Sequence, residues 1–296
     1  MHLFLKTQRV LHIFLHMLSH FKSIVIAVFA FQVLFAGTQF LSIPTSAYDL
    51  IYFNSPWRNP AVLNHINKVP ELGLAYGNWL AGIQNMGFKW RGQIGQNSGG
   101  LDLRYVGLSD LELRSNKPTS KPLGYYSAYG ISARGITSRE IGAIKFGLAL
   151  QLIELEIYQE SSRGVAFDFG ATWSINEYFK FNISALNFGR MNKLESSAPE
   201  LPKRLVNSVS FDQKSSSLFI GIESNSLLND MIYYVGGNSK YKNLFFGGTA
   251  TSTKGMKSIS GGVGFLLGIY TITYGFQWGD HHLGRPQMLD ISIRLP

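Results

Sequence analysis

From about residue 70 the chain alternates apolar residues with polar or small ones, in segments separated by short turns of Gly, Asn, Ser and Lys. Residues 164–173 show the pattern. Val165, Phe167, Phe169, Ala171 and Trp173 share one parity, and Ala166, Asp168, Gly170 and Thr172 the other. Successive side chains of a strand point to opposite faces, so such a segment has one apolar and one polar face. Met86, Phe88, Trp90 and Ile94 likewise oppose Lys89, Arg91 and Gln93, and Leu289, Ile291, Ile293 and Leu295 oppose Asp290, Ser292 and Arg294. The pattern predicts fourteen strands, over 71–80, 86–95, 101–108, 125–134, 141–151, 164–174, 178–187, 204–212, 216–224, 231–238, 243–251, 257–267, 269–278 and 288–295. No stretch of helical period separates them.

Many alternating strands with an apolar face and a polar face point to a sheet closed on itself in a membrane, apolar outside and polar inside. The fold class read from the chain is therefore all-β: a transmembrane antiparallel β-barrel of about 14 strands. An even count brings both ends of the wall to one side, and the chain has room for spanning strands of ~9–11 residues. A β-sandwich shares the alternation and is the alternative. Trp79, Trp90, Trp173 and Trp278 fall at or near strand ends, where amphipathic rings form belts at the membrane surface.

Composition supports the barrel. Charged residues are 15% of the chain, below the roughly 25% of an average soluble domain, with 31 Gly and 14% aromatic residues. Mean hydropathy is near neutral (+0.05), as expected when only alternate residues face lipid. There is no Cys, which fits an exported protein.

Residues 1–36 read as a secretory leader. Lys6, Arg9 and Lys22 precede an apolar run over 24–36, with Leu34 and Ala36 before a cleavage point at Gly37. Met17 would begin a leader of more ordinary length. The run is too short for a spanning helix of ~20 residues. Loss of the leader removes three basic and no acidic residues, leaving 24 basic against 18 acidic. These are dispersed rather than clustered, which argues against a nucleic-acid partner. The expected location is the outer membrane of a Gram-negative bacterium, with membrane lipid around the wall.

Residues 37–69 differ from the rest. Pro44, Pro56 and Pro60 interrupt them and their apolar residues do not alternate, so they are expected either to fold into the lumen or to cap the periplasmic end, as a plug-like segment ahead of a barrel over 70–296. Residues 153–162 also depart from the pattern and are expected to carry a hairpin beyond the membrane. Lys89, Arg91, Asp102 and Arg104 share polar strand faces and are candidate lumen residues.

Several short motifs resemble the PorV/PorQ family. Phe40, Leu41, Ser42, Ile43 and Pro44, followed by Ser46 and Ala47, resemble its "FLxIPxSA" opening, and Asn59, Pro60, Ala61, Val62 and Leu63 its "NPAxL" element. The runs GVAFDFGATW and FNISALNFG resemble its paired central strands and "NxG" turn, and Leu201 and Pro202 open the next strand in the same way. The chain lacks the family's Gly-rich "AxxxGG" stretch and acidic "DD" step, carrying YDLIYFNSPWR there, and its length is nearer the PorQ branch.

The resemblance implies a FadL-like fourteen-stranded outer-membrane barrel tied to type IX protein secretion. Its partners would be exported proteins with C-terminal sorting domains, or a surface attachment partner. Docking would use the longest interstrand stretches, 109–124, 191–203 and 279–287. The alternative is a FadL-like transporter of hydrophobic small molecules, whose plug opens laterally and whose apolar lumen site would be Phe40, Leu41, Ile43, Tyr52, Phe53 and Trp57. A general porin is a third, weaker reading.

Chemistry is sparse. Asp280, His281 and His282 could be imagined as metal ligands, but they lie on one short loop, and ligand sets normally draw on separated elements. Glu154 and Glu156 have the spacing of a carboxylate pair beside exposed-looking residues. No G-x-S-x-G elbow or phosphate-binding Gly loop occurs. No enzyme, cofactor or metal is expected.

Overall fold

A computed structural model describes residues 37–63, 69–114, 120–280 and 284–295. The proposed leader and the histidines 281 and 282 lie outside these residues. Fourteen antiparallel strands follow one another: β1 (Glu71–Asn78), β2 (Gln84–Ile94), β3 (Asn97–Leu113), β4 (Gly124–Ile141), β5 (Ile144–Ile157), β6 (Glu160–Ser174), β7 (Phe179–Met191), β8 (Arg204–Gln213), β9 (Ser216–Asn225), β10 (Ile232–Tyr241), β11 (Leu244–Ser252), β12 (Lys257–Leu267), β13 (Tyr270–Gly279) and β14 (Gln287–Arg294). Each pairs with its sequence neighbours, and β1 also pairs with β14, with Leu74 opposite Ile291. The sheet is thus closed and leaves no free edge.

The two faces divide as the alternation requires. On β6, Val165, Phe167, Phe169 and Trp173 are exposed on the outer wall, whereas Ala166, Asp168 and Thr172 are buried inside. Neighbouring strands extend the apolar band: Leu148 and Leu150 on β5, Ile220 on β9, Ile259 on β12 and Tyr274 on β13 all face outward and exposed. In water this face would need a second layer of protein; in lipid it needs none.

Strand lengths differ from the sequence reading chiefly on β3 to β6: β5 and β6 run further toward their shared turn, β4 toward the β4–β5 turn, and β3 toward both ends. For β5 and β6 the cause is visible on β5. Its outward residues are apolar through Leu152 and then become Glu154 and Glu156, while its inward residues change from Gln151 to Ile153 and Leu155. The faces keep their parity but exchange polarity where the wall leaves the apolar band. Glu154 pairs there with Arg163 at 2.9 Å, and Glu156 accepts the Tyr129 hydroxyl at 2.5 Å. These two carboxylates are surface contacts, not an acid–base pair.

The "NxG" element is not a turn. It is a bulge within β7, where Leu186 and Asn187 together oppose Asp168. Asn187 has φ 62°, a left-handed conformation that Asn tolerates better than most residues. The Asp168 carboxylate accepts the Asn187 backbone N–H at 2.6 Å and holds the bulge.

The interior has three layers. At the end with two-residue turns and both barrel termini lies a chamber of about 940 Å³, lined by polar wall residues such as Lys180, Lys240 and Thr271. Residues 38–63 fill the middle, with one short α-helix, α1 (Ala47–Ile51), between two 3-10 turns at Gly37–Ser42 and Pro60–Val62. At the loop end an apolar cluster joins Phe40 and Leu41 to Val106, Ile153, Leu155, Met191, Leu194 and Leu201. Among the described residues no helix is long and apolar enough to cross a membrane.

Candidate functional site: the plugged lumen

The plug is held by short contacts between its backbone and inward side chains of the wall. Proline and the irregular path leave carbonyls without helix or sheet partners, and buried carbonyls need donors. The wall supplies them. Arg104 Nη2 donates to Ile43 O at 2.6 Å, and Asn85 Nδ2 to Pro44 O at 2.9 Å. Arg134 Nη1 donates to Pro56 O at 2.9 Å. Ser138 Oγ and Lys145 Nζ both donate to Leu63 O, each at 2.8 Å.

The first turn of α1 is anchored by a carboxylate. The backbone N–H groups of Ala47 and Tyr48 donate to the two oxygens of Asp290 on β14, at 2.9 and 3.0 Å. Those N–H groups have no acceptor within the helix, and negative charge is favoured at that end. Asp49 folds back to accept from Thr45 N at 3.1 Å and Thr45 Oγ1 at 2.6 Å, which fixes the entry into the helix.

Asn59, Pro60 and Ala61 form a tight turn seated directly on the wall. Asn59 Oδ1 accepts the Ala61 N–H at 2.9 Å, and Asn59 Nδ2 donates to Ala171 O at 3.2 Å. The turn rests on Gly147 and Gly170. A Cβ at Gly147 would come within 2.1 Å of Ala61 N, and one at Gly170 within 2.0 Å of Asn59 Oδ1.

The predicted lumen residues all face inward, and they are tied into the structure. Lys89 faces Glu71 at 3.8 Å and the Tyr48 ring at 5.7 Å. Arg91, Asp102, Arg134 and Asp168 form a chain of alternating charge, with contacts of 2.6, 3.7 and 2.6 Å. Asp168 thereby links the β7 bulge to the arginine that holds Pro56. Asp168 was placed on a polar strand face but not among the lumen candidates, and Arg134 was not singled out, nor was a second buried pair: Arg204 meets Glu223 through two bonds of 2.6 and 3.0 Å. Their signal was present, since each is a charged residue at an inward parity of an alternating strand.

The six residues expected to form one apolar lumen site do not gather into one cluster, although the Trp57 indole N–H donates to Leu41 O at 3.4 Å. Phe40 and Leu41 belong to the loop-end cluster. Phe53 stacks on Phe219 with centroids 4.8 Å apart in a separate cluster with Val206 and Leu186. Tyr52 stacks on Tyr48 at 4.3 Å beside the chamber, and burial pushes its hydroxyl pKa up to about 12. Trp57 lies beside the Arg58 and Arg204 guanidinium groups, each 4.5 Å from its ring. The reason is Arg58, whose Nη1 donates to Asp49 O at 3.2 Å while its guanidinium packs over Phe53 and Trp57, placing charge in the middle of the aromatic group. Burial holds the Arg58 pKa below the ordinary guanidinium value.

Of the stretches expected to dock a partner, 192–203 packs Leu194 and Leu201 into the loop-end cluster. Asn187 Nδ2 donates to Pro202 O at 2.9 Å, and Thr38 Oγ1 donates to Glu200 O. This segment packs against the plug and wall as part of the fold.

No family model and no curated protein sequence matches the chain. Solved structures do. The chain is similar to the CymD monoaromatic hydrocarbon channel, with 11% identity, coverage of 87% of this chain and 94% of that one, and a TM-score of 0.57. It is similar to the toluene transporter TodX of Pseudomonas putida, with 10% identity, coverage of 84% and 93%, and a TM-score of 0.58. A TodX deltaS2S3 mutant aligns with 10% identity, coverage of 83% and 96%, and a TM-score of 0.55. The chain therefore shares the fold of these channels.

Proposed function

We propose that this barrel lies in a bacterial outer membrane and passes small hydrophobic molecules across it. The observation that carries the reading is the shared fold: over four-fifths of the chain superposes on two hydrocarbon channels and covers nearly all of each. The layered interior supports it, with an apolar cluster at the loop end, a chamber at the turn end, and a plug between them. The plug and the apolar cluster close the axial path, so passage requires displacement of part of the plug. The test is uptake of labelled toluene by cells that carry or lack the gene. Faster uptake with the gene supports transport; equal rates reject it for this class of molecule.

The closed loop end also favours a second reading, protein docking. In this reading the barrel belongs to the PorV/PorQ type and holds exported proteins with C-terminal sorting domains, or a surface attachment partner. The resemblance in residues 40–47 and 59–63 supports it only indirectly. Those residues are buried inside the barrel and hold the plug, so a partner would meet the loops instead. Loss of surface attachment of such exported proteins in a deletion strain favours docking, and unaltered attachment rejects it.

A further inference from the structure

Between plug and wall lies a second, small cavity, of about 20 Å³. That is room for one water-sized particle. The plug contributes Leu41, Thr45 and Trp57 to it, and its wall side includes Arg104, Arg134 and Arg204. Among the described residues, Arg104 Nε and Arg134 Nη2 are buried nitrogens with no hydrogen-bond partner. Both residues are more than nine-tenths buried, Arg104 at 5% exposed and Arg134 at 6%. Buried donors on charged groups are costly to leave unpaired.

Charge counting identifies what they lack. Arg91 and Arg134 are matched by Asp102 and Asp168, and Arg204 by Glu223. Arg104 has no carboxylate within 4.0 Å among the described residues, and it donates to the neutral Ile43 carbonyl. The carboxylate oxygens lining the cavity are already engaged. Asp102 meets Arg91 and Arg134 through its two oxygens, and Asp168 meets Arg134 and the Asn187 N–H. Three guanidinium groups and two engaged carboxylates thus line a cavity of single-ion size, two of their donors are unpaired, and Asp49, the next carboxylate acting on Arg104, is held by Thr45 and Ser46. Guanidinium groups only donate.

We propose that a small monovalent anion, chloride under ordinary conditions, binds in this cavity and latches the plug to the wall. Arg104 and Arg134 each hold a plug carbonyl with one nitrogen, at Ile43 and Pro56, and would hold the anion with another. Occupancy would stiffen both attachments together. The site is independent of what the barrel transports or docks.

The full chain, purified from membranes in detergent, provides the test. Thermal unfolding is followed in sodium chloride, sodium bromide and sodium gluconate at equal ionic strength. The latch predicts a higher, saturable midpoint in chloride and bromide than in gluconate, and loss of that difference in Arg104→Gln. Crystals grown in bromide should show an anomalous peak between Arg104 and Arg134, a result that needs no variant to fold. Equal midpoints in all three salts, or crystals with no bromide at this position and water only, would overturn the proposal.

Discussion

Gly147 of β5 lies so close beneath Ala61 that a Cβ there would stand 2.1 Å from the Ala61 nitrogen. The obstacle is backbone on both sides, so neither partner can rotate away. Gly147→Ala should therefore lift the 59–61 turn from the wall and destabilise the protein by about 1–3 kcal/mol or more, the range for overpacking. Gly135→Ala is the control: nothing lies within 4 Å of its Cβ position, and its effect should stay within about 0.5 kcal/mol. Urea unfolding in detergent measures both. Equal effects of the two substitutions would show that the turn does not rest on the wall.

The Arg204 and Glu223 side chains are each 2% exposed and joined by two bonds. Arg204→Met leaves a buried carboxylate whose remaining partner is the Tyr234 hydroxyl, at 3.0 Å. It should cost about 3–5 kcal/mol, whereas the double variant Arg204→Met, Glu223→Leu should recover a large part of that loss. A double-mutant cycle reads the coupling, and strict additivity would contradict the pairing.

The exchange of polarity on β5 predicts a depth-dependent response to charge. Leu148, opposite Phe169, lies in the middle of the outward apolar band. Leu148→Arg should cost about 2–4 kcal/mol, and Glu154→Arg, beyond the band, about 0–1 kcal/mol. Refolding into vesicles at graded urea concentrations compares them. Similar costs at both positions would mean that the band does not end at Leu152.

Tyr52 predicts an alkaline effect. Its hydroxyl pKa is raised by burial to about 12, against an ordinary value of 10.0. The folded protein thus keeps a proton that the unfolded chain releases. The stability this confers is complete below pH 10 and is lost as pH rises from 10 to 12. Tyr52→Phe should flatten the decline in unfolding midpoint across that window. An unchanged decline would place the titration elsewhere.

The strand count, the two faces of β6 and the interior position of residues 38–63 were legible in the chain, because a period of two exposes both faces directly. The full reach of β5 and β6 was not. Beyond Leu152 the outward residues turn polar and the inward ones apolar, so a reading tuned to one polarity stops there. The bulge at Asn187 was read as a turn because Asn and Gly have the same local signature in both, and only the partner Asp168 distinguishes them. The plug's anchors were hidden for a different reason. Gly147, Gly170 and Asp290 are distant in sequence from Asn59 and Ala47, and their role is the close approach of another segment. The separation of Phe40 and Leu41 from Phe53 was equally invisible, since it depends on which wall residues each packs against.

The central claim is that alternate residues of the wall face acyl chains while the others face a plugged interior. The chain has no Cys, so single cysteines can be introduced and spin-labelled without removing native thiols. A nitroxide scan of residues 164–174 in lipid vesicles, read by collision with oxygen and with a water-soluble nickel chelate, tests the claim most directly. The account predicts oxygen accessibility with a period of two, high at 165, 167, 169, 171 and 173, with little access to nickel at those positions. Uniform accessibility along the strand, or preferential access of nickel to the odd-numbered positions, would contradict it.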